Sequence, residues 1–207
     1  MTQASSGSPR KTTYTYDDDH DLNKVDNTLL NGDSVIFSYM HNDSGQMTGN
    51  AVSNNAYIWN PGTSAAITKY SYNVMNQAVS EDSNVIEYDN NGNLKSKGNR
   101  TLTWSVENYL TQVTQTGTGA FTATYSYDAM GRRTEKTVDS VTTKYVMDGG
   151  NVIAELNGSD TLQYRYVYGP GIDRPIARIT PNGSSLDIDY YYYDGQGSVI
   201  AMLGDTA

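Results

Sequence analysis

Apolar and polar residues alternate along this chain in short bursts, and turn-forming residues close each burst. Tyr14-Thr15-Tyr16-Asp17, Tyr70-Ser71-Tyr72-Asn73 and Tyr125-Ser126-Tyr127-Asp128 each set two aromatic side chains two residues apart and end on an acid or amide. Side chains so spaced share one face of a strand, whereas on a helix they point well apart. Looser copies run through Phe37-Ser38-Tyr39, Ile86-Glu87-Tyr88-Asp89, Leu102-Thr103-Trp104-Ser105, Lys144-Tyr145-Val146-Met147-Asp148, Tyr164-Arg165-Tyr166 and Tyr191-Tyr192-Tyr193-Asp194. With the second aromatic as the mark, the repeat-defining positions are Tyr16, Tyr39, Tyr72, Tyr88, Trp104, Tyr127, Tyr145, Tyr166 and Tyr193. The chain reads as an array of repeats, each about one hairpin long with a return of variable length.

Tyr, Thr, Val and Ile crowd these segments, which is strand composition. Behind them come Asp43-Ser44-Gly45-Gln46, Asp89-Asn90-Asn91-Gly92-Asn93, Asp128-Ala129-Met130-Gly131-Arg132, Asp148-Gly149-Gly150-Asn151 and Asp194-Gly195-Gln196-Gly197. Asp and Asn hydrogen-bond their own backbone, and Gly takes positive φ without a clash, so the Asp128 turn predicts a left-handed residue at or beside Gly131. Second strands follow, such as Asn151-Val152-Ile153-Ala154-Glu155-Leu156. The predicted fold class is all-β, a spiral or solenoid-like array of antiparallel β-hairpins.

The phrase Tyr-x-Tyr-Asp-x-x-Gly-Arg, complete at Tyr125 to Arg132, resembles the YD repeat of the bacterial RHS proteins, shared with toxin-complex C subunits and teneurins. Residues 164–199 resemble the RHS-associated core through two phrases. These are Tyr166-Val167-Tyr168-Gly169-Pro170-Gly171-Ile172-Asp173-Arg174-Pro175-Ile176-Ala177-Arg178 and Tyr191-Tyr192-Tyr193-Asp194-Gly195-Gln196-Gly197-Ser198-Val199. The resemblance implies a YD-shell type of fold, in which hairpins wind side by side into a hollow wall around a toxin or support adhesion. It divides the chain into a polar tail (1–12), YD repeats (13–163) and a shortened core-like segment (164–207). The family's Asp-Pro-x-Gly-Leu cleavage motif does not occur in the sequence, so no self-cleaving aspartate is carried over.

Composition narrows the chemistry. Zero Cys removes disulfides, thiolate catalysis and Cys-containing zinc sites. With mean hydropathy of -0.60, the 18 Tyr must supply much of the buried area. The net charge of -9 argues against nucleic acid as a partner, because that binding neutralises phosphates with basic residues. No membrane span is expected, since Val199 to Leu203 is only strand length. The first ten residues carry no apolar signal-peptide segment and read as a tail or linker.

Candidate sites are few. Asp17, Asp19 and Asp21 have the spacing that opens an EF-hand loop, but Leu22 stands in its glycine slot and Thr28 in its glutamate slot. Asp89, Asn91 and Asn93 alternate likewise, with Leu94 in the glycine slot, and both clusters read as solvated turns, so no metal or cofactor is expected. His20 and His41, the two histidines, both fall in polar segments and form no recognisable triad. Tyr57 and Trp59 break the repeat phase and form a candidate platform for a sugar ring or cell-surface ligand.

The expectation is therefore a non-enzymatic, structural β-repeat protein, exported or displayed at the cell surface. Open ends of the array invite end-to-end association with other copies into a filament or tube. Two alternatives stand beside it. The chain would be a fragment of a larger toxin-encapsulating shell, its partner the remainder of a longer RHS chain, or a carbohydrate-binding module using exposed Tyr and Trp.

Overall fold

The computed structural model describes residues 10–29, 34–58, 67–171 and 173–204. Its strands are β1 (Lys11–Tyr16), β2 (Leu22–Thr28), β3 (Ser34–His41), β4 (Met47–Val52), β5 (Tyr70–Tyr72) and β6 (Ala78–Glu81). There follow β7 (Asn84–Tyr88), β8 (Leu94–Lys97), β9 (Arg100–Trp104), β10 (Leu110–Gln115), β11 (Phe121–Tyr127) and β12 (Arg133–Val138). The last six are β13 (Val141–Asp148), β14 (Asn151–Asn157), β15 (Leu162–Tyr168), β16 (Pro175–Asn182), β17 (Ser185–Tyr193) and β18 (Val199–Gly204). Between β4 and β5 the one helical element among the described residues is a 3-10 turn, Asn55–Tyr57.

Hydrogen bonding follows chain order without crossover, joining β1 to β4 in one ladder and β5 to β18 in another. Neighbours pair antiparallel, as in Tyr14↔Val25, Tyr125↔Lys136 and Tyr190↔Leu203. The fold is thus an all-β array of antiparallel hairpins. Two compact units divide it: Met1–Pro61 with Tyr166–Ala207, and Gly62–Arg165.

The first unit holds a packed core. Alternation on β3 sends Val35, Phe37 and Tyr39 inward and leaves Ser34, Ser38 and Met40 exposed. With Val25, Leu29 and Tyr192 they form one buried cluster, against which Tyr190, Ile200, Ala201 and Leu203 pack. Each fully buried aliphatic side chain contributes about 1.5–3 kcal/mol. Asn27, also fully buried, is satisfied on both sides of its amide. It donates to the Tyr193 carbonyl at 3.1 Å and accepts from Thr12 Oγ1 at 2.7 Å. Arg10 adds a bond to the Gly204 carbonyl and a guanidinium over the Tyr190 ring at 5.7 Å.

The second unit is leaner. Among its described residues only Ile86 and Ala123 are buried apolar side chains, while β10 and β14 are half-buried along their whole length. Cross-strand contacts carry the load instead. The Arg133 guanidinium lies between the Tyr125 and Tyr145 rings, 5.6 and 5.2 Å from their centroids, and Tyr109 stacks on Tyr127 at 5.0 Å.

Candidate functional site

Among the described residues one turn is built eight times, beginning at Asp17, Asn42, Asn73, Asp89, Ser105, Asp128, Asn157 and Asp194. In each, the first residue's side-chain oxygen accepts the backbone N–H of the second and fourth residues after it. Its own N–H donates to the carbonyl of the fourth residue after it, and its carbonyl accepts the N–H of the third. That third residue is left-handed every time: His20, Gly45, Asn76, Gly92, Asn108, Gly131, Asp160 and Gly197, with φ from 60 to 85°. This is the physical content of the Asp-x-x-Gly phrase. Gly131 needs its glycine twice over, since φ is +77° and an added Cβ would stand 2.8 Å from Tyr109 Cζ.

The residue before the turn has a second task. Tyr88 Oη donates to the Ala78 carbonyl at 3.0 Å, Trp104 Nε1 to Leu94 at 2.8 Å and Tyr127 Oη to Leu110 at 2.8 Å, and Tyr193 Oη donates to Pro175. Each acceptor is the first residue of the preceding strand, so the aromatic latches one hairpin to its neighbour. Tyr16 and Tyr72, on the opening strands β1 and β5, have no preceding strand in their ladders and stand 58% and 59% exposed.

The turn frame sorts the sequence marks. Tyr39 lies two residues ahead of the pre-turn position, which His41 occupies. Its ring covers Gly195, whose N–H donates to Tyr39 Oη at 2.6 Å, and burial raises the phenol pKa, with the nearby Asp194 charge adding to the rise. Tyr145 packs against Arg133, and half-buried Tyr166 lies within β15; neither precedes this turn. Spacing of aromatics alone misses His41, because the repeat's frame is fixed by the turn.

Within the first unit a groove of about 560 Å³ is lined by Phe37, Tyr39, Val52, Tyr57, Asp194 and Ile200 among others. Tyr57 is half-buried at its wall and packs on the core, while Trp59 lies outside the described residues. The groove offers aromatic faces and one carboxylate, whose Oδ1 is already engaged by the Gln196 and Ser198 N–H groups. A separate cluster joins Asp17, Asp21 and His41, one ligand atom from each lying within 4.8 Å of the others. The sequence places Asp17 and Asp21 in a solvated turn and His41 in a polar segment. In the structure His41 is half-buried at the end of β3, and no spacing within one segment announces its meeting with the carboxylates of the β1–β2 turn.

No described protein-family profile matches the chain. Over 134 residues it is 38% identical to the tRNA3(Ser)-specific nuclease WapA of Bacillus spizizenii, a match covering 64% of this chain and 6% of that protein. Over 194 residues it is 28% identical to Teneurin-3 of Mus musculus, covering 93% of this chain and 6% of that one. Among solved structures, a crystal structure of TcdB2-TccC3-Cdc42 aligns with a TM-score of 0.43 and 14% identity, covering 95% of this chain and 14% of its counterpart. The chain thus spans about 6% of the length of the curated relatives it matches. These relatives correct the expectation that the chain stands apart from enzymes: the WapA proteins, 35% to 38% identical to it, are nucleases by name. Hairpin repeats report a fold, and a fold does not decide whether chemistry is attached to it. Its repeated phrases and its relatives together make this chain a relative of the RHS/YD-repeat proteins.

Proposed function

We propose that this chain is a stretch of β-hairpin wall in a longer, exported nuclease of the WapA kind, and that successive YD hairpins of that protein enclose its toxic part. Cleavage of tRNA is proposed for the longer protein, of which this wall is a working component. The observation that carries the reading is the latch. Tyr88, Trp104, Tyr127 and Tyr193 each hold a carbonyl of the preceding strand, whereas Tyr16 and Tyr72 present the same group more than half exposed. In a longer protein, neighbouring hairpins would supply carbonyls to such open groups, and the remainder of that protein is the partner we propose. A filament would satisfy the same groups with a second copy, which makes it the competing outcome. The test replaces the matching stretch of a WapA nuclease with residues of this chain and measures tRNA cleavage alongside protease resistance. Retained cleavage in a resistant chimera, with the isolated chain monomeric by sedimentation, is expected. An inactive, protease-sensitive chimera, or filaments formed by the chain alone, overturns the reading.

A further inference from the structure

We propose that Asp17, Asp21 and His41 bind one divalent first-row transition cation of the zinc or manganese class. Four of the other seven turns serve as internal controls, because in them the side chains of the first and fifth residues pair. Where the turn opens on a carboxylate, the residue four positions on can neutralise or donate to it. Arg132 Nε reaches Asp128 Oδ2 at 2.7 Å, and Asn93 Nδ2 reaches Asp89 Oδ2 at 3.0 Å. Where the turn opens on an amide, the partner accepts: Asn42 Nδ2 donates to Gln46 Oε1 at 3.0 Å and Asn73 Nδ2 to Gln77 Oε1 at 2.9 Å. The first turn breaks this complementarity by setting Asp21 opposite Asp17. Asp17 Oδ1 is spent on the N–H groups of Asp19 and Asp21, which leaves Oδ2, the atom that receives the Arg132 cation in the Asp128 turn.

The second departure is independent and lies on another strand. At the pre-turn position of β3, where Tyr88, Trp104, Tyr127 and Tyr193 latch in four other copies, stands His41. It makes no latch bond among the described residues, and its Nδ1 is buried without a partner. Gly45 of the adjoining turn leaves room for the Asp21 carboxylate, since a Cβ there would stand 3.3 Å from Oδ2. Residues 17–21 hold four aspartates and no lysine or arginine, so a doubly charged ion balances the two ligand carboxylates.

The donor set selects the ion. One imidazole with two carboxylates suits zinc or manganese, whereas calcium takes six to eight oxygens. Bonds of about 2.0–2.2 Å bring tetrahedral ligand atoms to roughly 3.4 Å apart, so the side chains must close inward by about an ångström. Asp17 Oδ2 takes no part in the bonds to the Asp19 and Asp21 N–H groups and can turn inward. Three protein ligands leave a fourth position for water.

The test titrates the full chain with ZnCl2 and with MnCl2, reading heat, melting temperature and the His41 imidazole NMR signals. One equivalent should bind, raise the melting temperature and shift His41 but not His20. Asp21→Asn recreates the Asp89–Asn93 pairing, and His41→Tyr recreates the latch. Both should melt higher than the metal-free parent and bind at least tenfold more weakly. Absence of binding up to millimolar metal, or binding by both variants equal to the parent's, overturns the site. Because Asp21→Asn keeps a turn already built elsewhere in the chain, loss of binding in it is not loss of fold.

Discussion

Tyr127→Phe removes one oxygen and leaves the ring, so it isolates the latch. The Oη–H of Tyr127 meets the Leu110 carbonyl at 2.8 Å in a half-buried setting, and the ring stacks on Tyr109 with 21° between planes. Phe keeps the stack and loses the bond. A neutral hydrogen bond of this kind contributes about 0.5–1.5 kcal/mol net, which for a chain of this size lowers the melting temperature by roughly 2–4 °C per kcal/mol. Tyr72→Phe is the matched control, since Tyr72 occupies the same place in the repeat, stands 59% exposed and has no preceding strand to hold. It should change stability by less than about 0.5 kcal/mol. Thermal unfolding followed by far-UV circular dichroism compares the two, and amide exchange along β10 locates the effect. Equal shifts in both variants, or none in Tyr127→Phe, would refute the latch as the link between hairpins.

Two further outcomes follow from the turns. Gly131→Ala must hold a left-handed residue against the Tyr109 ring, whereas Gly92→Ala meets nothing nearer than Gln77 Nε2 at 3.8 Å. Gly92→Ala should cost about 1 kcal/mol and Gly131→Ala clearly more, measured as a difference in urea midpoint. Acid should weaken the same frame. Asp128 is held below the usual carboxylate range by the Arg132 backbone N–H and by its guanidinium, and Asp89 by the Asn93 side-chain amide and backbone N–H. A carboxyl whose pKa is depressed on folding stabilises above its unfolded pKa and loses that contribution as pH falls through the folded value. Melting temperature should therefore decline below about pH 4, with a shallower decline in Asp128→Asn.

Strands and hairpins were legible because the Tyr-x-Tyr period of two and the Asp-x-x-Gly turn are both local signals. The eight-fold turn was less so. At Asn42, Asn73, Ser105 and Asn157 the opening residue is not an acid, and at His20, Asn76, Asn108 and Asp160 the left-handed position is not glycine. Any short side chain that caps two N–H groups serves in the first place, and Asn or Asp tolerates the left-handed conformation in the other. Counting aromatics therefore set the mark on Tyr39 when the frame runs through His41. The Asp17, Asp21 and His41 cluster was hidden for a different reason: it joins two neighbouring strands, and a pairing register is not written in either segment alone.

Each copy of the turn fixes its first, third, fourth and fifth residues through the backbone and asks almost nothing of the side chains at the second and third. Val74, Met75, Val106 and Met130 occupy such tips, with side chains standing in open solvent. Gly195 is an exception, pinned beneath Tyr39. Most tips are thus positions where mutation carries little folding penalty, arranged at intervals along a frame that tolerates little. Such a chain is evolvable in a particular way: its turn tips can be rewritten two residues at a time while the hairpins beneath stay in register.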